Sequence, residues 1–243
     1  MKSIEKFADL TNYTTIEGWR DRIFSLGKDL GYERTLLAIL PDHNTPMEAG
    51  NAFFHSNYSP TWRKKYDDEK MGYIDPVVSH CIEKSTPLIW SPDIFASRKQ
   101  KELYEEACSY TIRSGVTLPI HGCGGELGIL CFVSDTNPDK RARKDILYSI
   151  PELSCFRDFI FETSRQFIKP AMAPNETVEL TRRELECLKW SASGKSSWDI
   201  AQILRCSEAT VNFHFANIRR KFGTTTRRHA EAKAIRMGII NPT

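Results

Sequence analysis

Residues 116–133 read VTLPIHGCGGELGILCFV, and this stretch settles which class of fold to expect. Two runs rich in strand-forming side chains, Val116 to His121 and Leu127 to Val133, flank a glycine-rich turn, the pattern of an antiparallel hairpin. Downstream of it a long helix fits from about Arg143 to Ile168. Upstream, a helix fits Ser97 to Tyr110, and Ser59-Pro60 and Asp75-Pro76 each put an N-cap residue before a proline at the first helical position. Further back, Asn51 to Phe54 and Thr35 to Leu40 read as strands. Ile16, Trp19, Ile23, Leu26 and Leu30 recur at helical spacing until Gly31 stops them. Hairpin strands with helices on both sides predict an α/β domain, an antiparallel sheet between helical layers in an α-β-α sandwich.

The pattern changes after KPAMAPNETV at 169–178, where Pro170 and Pro174 interrupt any helix and apolar periodicity is absent. The expected division is a domain over 1–168, a linker over 169–178 and an all-α domain of four helices over 179–243. Thr181 and Glu184 form a capping box, Leu185 and Leu188 follow, and Gly194 ends the first helix. Ser197 to Leu204 and Glu208 to Phe222, joined by a tight turn at Arg205-Cys206-Ser207, read as a helix-turn-helix. A fourth helix fits Arg227 to Met237.

Composition narrows the function. Of 243 residues 40% are hydrophobic and 27% charged, the balance of a chain that builds a core in water. The longest apolar run, LGILCFV, falls far short of the roughly 20 residues a membrane span needs, so no membrane partner is expected. Charges at Lys2, Glu5, Lys6 and Asp9 break up any secretory leader, which predicts a cytoplasmic protein. Seven cysteines without a CxxC pair and six histidines without HExxH spacing predict reduced thiols, no metal and no cofactor. Net charge is only +3, but residues 175–243 hold 12 Lys+Arg against 7 Asp+Glu, and the rest holds 22 against 24. The basic surplus, which attracts phosphate, is therefore C-terminal.

In the third helix of that region Val211, Phe215, Ile218 and Phe222 form one apolar stripe. The opposite face carries Thr210, Asn212, Phe213, Ala216, Asn217, Arg219 and Arg220, with Lys221 near the end. Short polar side chains and a small alanine let a helix approach base edges in a major groove, and the basic residues reach phosphates. A solvated bundle helix would look similar. LTRRELECLKWSASGKSSWDIAQILRCSEATVNFHFANIRRKFGTTTRRHAEAKAIRMGII, however, resembles the DNA-binding domain of the LuxR family nearly from end to end, with that family's markers at Glu184, Leu188 and Gly194. Gly194-Lys195-Ser196 imitates the end of a nucleotide-binding loop, but Lys189 stands where its first glycine would be, and the segment joins two helices. Lys195, Ser196 and Ser197 are instead expected against the DNA backbone, at a helix N-terminus.

The N-terminal region contains NYSPTWRKKY at 57–66, YIDPVVSHC at 73–81, PLIW at 87–90 and SGVTLPIHG at 114–122. Taken one by one, Asp75 is a helix cap, Tyr66 and Trp90 are core aromatics, and Tyr58 and Trp62 are surface or edge residues. Together these segments resemble the autoinducer-binding domain of quorum-sensing receptors, whose markers fall on Trp62, Tyr66, Asp75, Pro76, Trp90 and Gly115. The resemblance implies an N-acyl-homoserine lactone of medium to long chain, with a 3-oxo group as one option. Such a ligand presents a lactone carbonyl, an amide N–H and an amide carbonyl, all of which need partners once buried. By resemblance Trp62 donates to the lactone carbonyl, Asp75 accepts from the amide N–H, Tyr58 donates to the amide carbonyl, and Trp90 and Tyr66 form aromatic walls. Arg63 is the candidate to lie over the lactone or 3-oxo group, against the plainer reading of a solvated helix residue.

Thr117 joins the ligand-facing set, and Leu36, Ala38, Leu40, Val78, Leu127 and Ile129 are the candidate acyl-chain wall. Cys131 stands where relatives that bind long 3-oxo chains carry serine, and it is a weaker hydrogen-bond donor. Val77 replaces a threonine, and Ala38 and Ile129 replace smaller residues. The added methyl groups imply a shorter or differently bent acyl chain.

The reading is a ligand-dependent transcription regulator, an activator that forms a homodimer on two-fold related double-stranded DNA, with half-sites about one turn apart, and that works with RNA polymerase. The alternatives are a related orphan regulator for a different small molecule, or a lactone hydrolase. The hydrolase would need a nucleophile with its base or a metal-bound water, and no GxSxG or metal-ligand cluster is present in the sequence.

Overall fold

The computed structural model describes residues 2–42, 45, 49–168 and 178–240, which divide into an N-terminal and a C-terminal compact unit. The residues of the expected linker, apart from Val178, lie outside this set.

The N-terminal unit is organised by the hairpin. Strands β4 (Ser114–His121) and β5 (Leu127–Ser134) pair antiparallel, and β1 (Arg34–Leu40) pairs with β5 on its other edge. Adding β2 (Phe53–Ser56) and β3 (Leu88–Ile89) gives one antiparallel sheet in the order β2-β1-β5-β4-β3. Because successive side chains in a strand point to opposite faces, each strand supplies two cores. Leu37, Ile39, Val116, Leu118, Leu130 and Phe132 face helices α1 (Lys2–Ala8), α2 (Ile16–Asp29) and α6 (Lys140–Ser164). Leu36, Ile129, Cys131 and Val133 face α3 (Pro60–Asp68), α4 (Pro76–Glu83) and α5 (Arg98–Ser109). The result is the expected α-β-α arrangement. On the first face Phe156 stacks on Phe7 at 4.6 Å and on Phe132 at 5.6 Å, and the Trp19 indole donates to Thr163 at 2.9 Å. At Gly115 a Cβ would sit 2.4 Å from the Phe132 carbonyl oxygen, so the close pairing of β4 and β5 admits only glycine there.

Several boundaries move. The second strand runs over Phe53–Ser56 rather than 51–54, because Ala49–Asn51 form a 3-10 turn ahead of it. The long helix starts three residues early, at Lys140, since Asp139 caps it by accepting from the Ala142 N–H at 2.7 Å, and it ends at Ser164. Helix α1 and the two-residue β3 have no counterpart in the sequence reading. Two residues are too few to show a period of two.

Among the described residues the C-terminal unit has four helices, α7 (Arg182–Ala192), α8 (Ser197–Leu204), α9 (Glu208–Phe222) and α10 (Arg227–Arg236), around Leu188, Ile200, Val211, Phe215, Ile218 and Phe222. Thr181 and Glu184 form the expected capping box, and Ser196 with Asp199 forms a second. Gly223, at φ 60°, closes α9 in the left-handed conformation that glycine adopts without strain.

Candidate functional site

Between the second face of the sheet and helices α3 to α5 lies a cavity of about 120 Å³. Its sheet wall is Leu36 and Ala38 from β1 with Ile129 and Cys131 from β5. Tyr58 enters from just ahead of α3, Trp62, Arg63 and Tyr66 from α3 itself, Asp75 and Val77 from the N-terminus of α4, and Trp90 from the end of β3. These residues come from separate stretches of sequence and meet at one place. Tyr58 and Trp62 are 8% and 3% exposed, which rules out the plainer reading of both as surface residues.

The cavity has one polar end. Asp75 accepts from the Val77 N–H at 2.8 Å through Oδ1, so it caps α4, and from the Tyr66 hydroxyl at 2.8 Å through Oδ2. Tyr66 is thus a wall that also orients the carboxylate. Burial raises the pKa of Asp75 above the ordinary value, against the opposing pull of those two hydrogen bonds. The Tyr58 hydroxyl is buried without a hydrogen-bond partner, and burial holds its pKa well above the usual phenol range. Burial pushes the Cys131 thiol up to about 12. The guanidinium of Arg63 lies 4.4 Å over the Phe54 ring and donates to Asp67 at 2.8 Å. With its side chain only 17% exposed, Arg63 is not the solvated residue its lysine neighbours suggest.

Three expected ligand-facing residues do not line the cavity. Thr117 sits behind it, accepting from the Trp90 indole N–H at 2.7 Å and lying 3.2 Å from Cys131 Sγ. It orients two lining residues and is not itself one. Leu40 and Leu127 pair with each other one step beyond Ala38 and Ile129 on the same face, where the sheet is already closed by packing. Conversely, Phe95, Leu103, Tyr104, Ala107 and Ile112 line the cavity from α5 and its flanks and were not anticipated. Leu103 and Ala107, four apart, carry only the signal of a helix core face.

In the C-terminal unit Val211, Phe215, Ile218 and Phe222 are buried, as their spacing predicts. Thr210, Asn212, Phe213, Ala216 and Arg220 are exposed, with Phe213 at 63%, while Asn217 and Arg219 are half-buried. Arg227 of α10 packs against the buried side of α9. Its guanidinium lies 4.0 Å over the Phe215 ring and donates to Ser191, to Ser197 at 3.2 Å and to the Lys195 carbonyl at 2.8 Å. Ser197 in turn donates to the Asn212 side chain at 3.0 Å. Ser196 caps α8, with its hydroxyl on Asp199 at 2.6 Å. Lys221 departs from expectation, because its ammonium is held by Glu184 at 2.7 Å and by the Glu179 carbonyl at 2.8 Å rather than left free for phosphate. Burial alone would raise the Glu184 pKa, but the bonds from Lys221 and Thr181 outweigh it and leave the carboxyl below its usual value.

Among the described residues no group of histidine, cysteine and carboxylate side chains is placed to hold a metal, and no helix is long and apolar enough to cross a membrane.

Comparison with known proteins finds a match for each unit. Residues 15–164 match the model of the autoinducer binding domain, and residues 178–234 match that of the bacterial regulatory proteins of the luxR family. The transcriptional activator VanR of Vibrio anguillarum is 31% identical, covering 100% of this chain and 98% of its own. LuxR of Aliivibrio fischeri is 33% identical over 86% and 82% of the two chains. Escherichia coli SdiA superposes with a TM-score of 0.70 at 26% identity, over 96% of this chain and 94% of its own. A ligand cavity in the first unit and a helix-turn-helix in the second are the two working parts of one kind of protein, and the chain belongs to the LuxR-type family of ligand-dependent transcription regulators.

Proposed function

We propose that the ligand is an N-acyl-homoserine lactone held by Tyr58, Trp62 and Asp75. The observation that carries this is the partnerless Tyr58 hydroxyl, buried in the wall of a largely apolar cavity that also holds the Asp75 carboxylate. An unpaired buried hydroxyl costs about 1–3 kcal/mol, and an amide carbonyl in the cavity relieves that cost. Among the described residues the Trp62 indole N–H also has no hydrogen-bond partner, whereas those of Trp19 and Trp90 are bonded to threonines. Two donors and one acceptor match the two carbonyls and one N–H of an acyl-homoserine lactone. Asp75 keeps its capping bond while accepting from the amide, and Cys131 stands nearby as a weak donor. A lactone hydrolase is the less favoured reading, because a thiol pushed up to about 12 supplies almost no thiolate at neutral pH.

Membership of the family supports the rest of the reading. Residues 1–168 form the ligand-binding domain and 179–243 the DNA-binding domain, on either side of a linker at 169–178. Asn212, Phe213, Ala216 and Asn217 face bases, while Lys195, Arg219 and Arg220 face phosphates. The protein works in the cytoplasm as a homodimer that activates transcription with RNA polymerase.

The test is mass spectrometry of solvent extracts of the protein, purified from cells fed acyl-homoserine lactones of mixed length. Intact lactone stoichiometric with the chain is expected. Ring-opened product, or soluble folded protein that yields nothing, overturns the assignment.

A further inference from the structure

We infer that Asn57 is the positioning residue for Tyr58: its side-chain amide ends the β1–β2 ladder in place of backbone and lets the chain turn so that the next residue reaches the cavity. The inference rests on the proposed ligand class and deepens it, by assigning what aims one of the ligand's donors.

The Tyr58 hydroxyl has no hydrogen-bond partner, so no polar contact at the tip of the ring fixes where it points. The fixed points lie at its root. The Tyr58 N–H donates to Ser56 Oγ at 3.0 Å, and Asn57, the residue before it, is bonded through every polar group it has. Its N–H donates to the Thr35 carbonyl at 3.2 Å, and its Oδ1 accepts from the Thr35 N–H at 2.7 Å. Its Nδ2 donates to the Glu33 carbonyl at 3.1 Å, and its own carbonyl accepts from Arg34 Nη1 at 3.3 Å.

This pattern differs from a plain strand end. In an antiparallel ladder a hydrogen-bonded pair exchanges both backbone N–H···O bonds. The β1–β2 register pairs Leu36 with Ser56, so Thr35 and Asn57 come next. Here the Asn57 N–H makes its backbone bond, but the Thr35 N–H is taken by the Asn57 side chain instead of the Asn57 carbonyl. A carboxamide can do this because it carries an acceptor and a donor on one group, and the Glu33 carbonyl takes the donor. The backbone carbonyl of Asn57 is thereby released from the ladder, and the chain leaves the sheet without stranding the Thr35 N–H. Had the ladder run on, Tyr58 would stand opposite Arg34. Instead it lines the cavity, and α3 begins two residues later at Pro60. Aspartate at this position supplies the acceptor without the donor, and alanine supplies neither.

The experiment is a double-mutant cycle on the full-length protein, read as affinity for homoserine lactones with butanoyl, hexanoyl, octanoyl and dodecanoyl chains and analysed with the tightest binder. Asn57→Ala should weaken binding about two- to tenfold, as Tyr58→Phe does, because a donor that is not aimed is worth no more than one that is missing. Added to Tyr58→Phe, it should cost less than about twofold more. A merely structural role would weaken both backgrounds alike, so the cycle separates aim from fold. Asn57→Asp keeps the Thr35 bond and should give the smaller loss, and it carries the same cycle if Asn57→Ala does not fold. Undiminished affinity in the folded Asn57 variant, or a loss that adds in full to that of Tyr58→Phe, overturns the inference and leaves the ligand class standing. If Tyr58→Phe alone costs nothing, the inference falls together with the donor role of Tyr58. Failure of the unaltered protein to bind any of the lactones overturns the ligand class and the inference with it.

Discussion

The two faces of the five-stranded sheet are made from alternate residues of the same strands, yet they have been put to different uses. On the α1, α2 and α6 side, phenylalanine rings stack on one another and the buried Trp19 indole is bonded to Thr163. On the α3, α4 and α5 side, the strands offer Ala38 and Cys131 instead of rings, and the unpaired Tyr58 hydroxyl lies in the wall of a cavity. The filled face holds the unit together, and the open face gives up part of that stability to leave room for a ligand. A saturating ligand returns it by mass action, about 2.7 kcal/mol at one hundred times its dissociation constant.

The contrast is most easily broken from the filled side. Phe156→Ala should cost about 3–5 kcal/mol in urea unfolding, and by the same amount with or without lactone, because Phe156 touches no part of the cavity. On the open side Asp75→Asn should leave a cap for α4 but remove the charge that accepts the ligand amide. Calorimetry should show a loss of about 1.5–3 kcal/mol in lactone affinity, while the empty protein, relieved of a buried charge, is not destabilised at neutral pH. Tyr58→Phe should separate the two quantities in sign. The empty protein should be stabilised by up to about 1 kcal/mol as the orphan hydroxyl goes, and ligand affinity should fall by about 0.5–1.5 kcal/mol.

A pH titration gives the smallest effect and the sharpest comparison. The folded pKa of Asp75 lies above its unfolded value, so its buried charge opposes folding at higher pH, and that cost is relieved as pH falls through the raised value. Lactone affinity should fall over the same interval, since the protonated acid is a poorer acceptor, and Asp75→Asn should flatten the profile. Glu184 behaves in the opposite way. Its folded pKa is lowered, so its contribution to the C-terminal unit is complete above the unfolded value and is lost as pH falls through the lower folded one. Comparing unfolding of the full chain with and without Lys221→Met across acid pH checks this.

How much of this could be read from sequence depended on whether the signal was local. The hairpin, the caps at Thr181 and Asp75 and the stripe of α9 are written within a few residues of each other, and the structure has them where expected. Tyr58, Trp62, Tyr66 and Asp75 were singled out through resemblance, not through periodicity, which on its own favoured ordinary roles. The alternation of β1 and β5 put Leu40 and Leu127 on the correct face, but alternation cannot say how far along a strand a cavity extends. Leu103 and Ala107 were missed because a helix position facing a ligand has the same spacing as one facing core. Lys221 was misplaced because its partner, Glu184, is 37 residues away in the chain and adjacent only after folding.

The arginine that spans the C-terminal unit has a further consequence. Arg227 ties α10 to the end of α7, to the turn before α8 and, through Ser197, to Asn212 of α9, with its flat face on Phe215. Helix α9 is therefore braced from behind at the position of one of its own polar side chains. Losing Arg227 would therefore loosen three of the four helices from one another at a single point and leave Ser197 and Asn212 without their shared anchor.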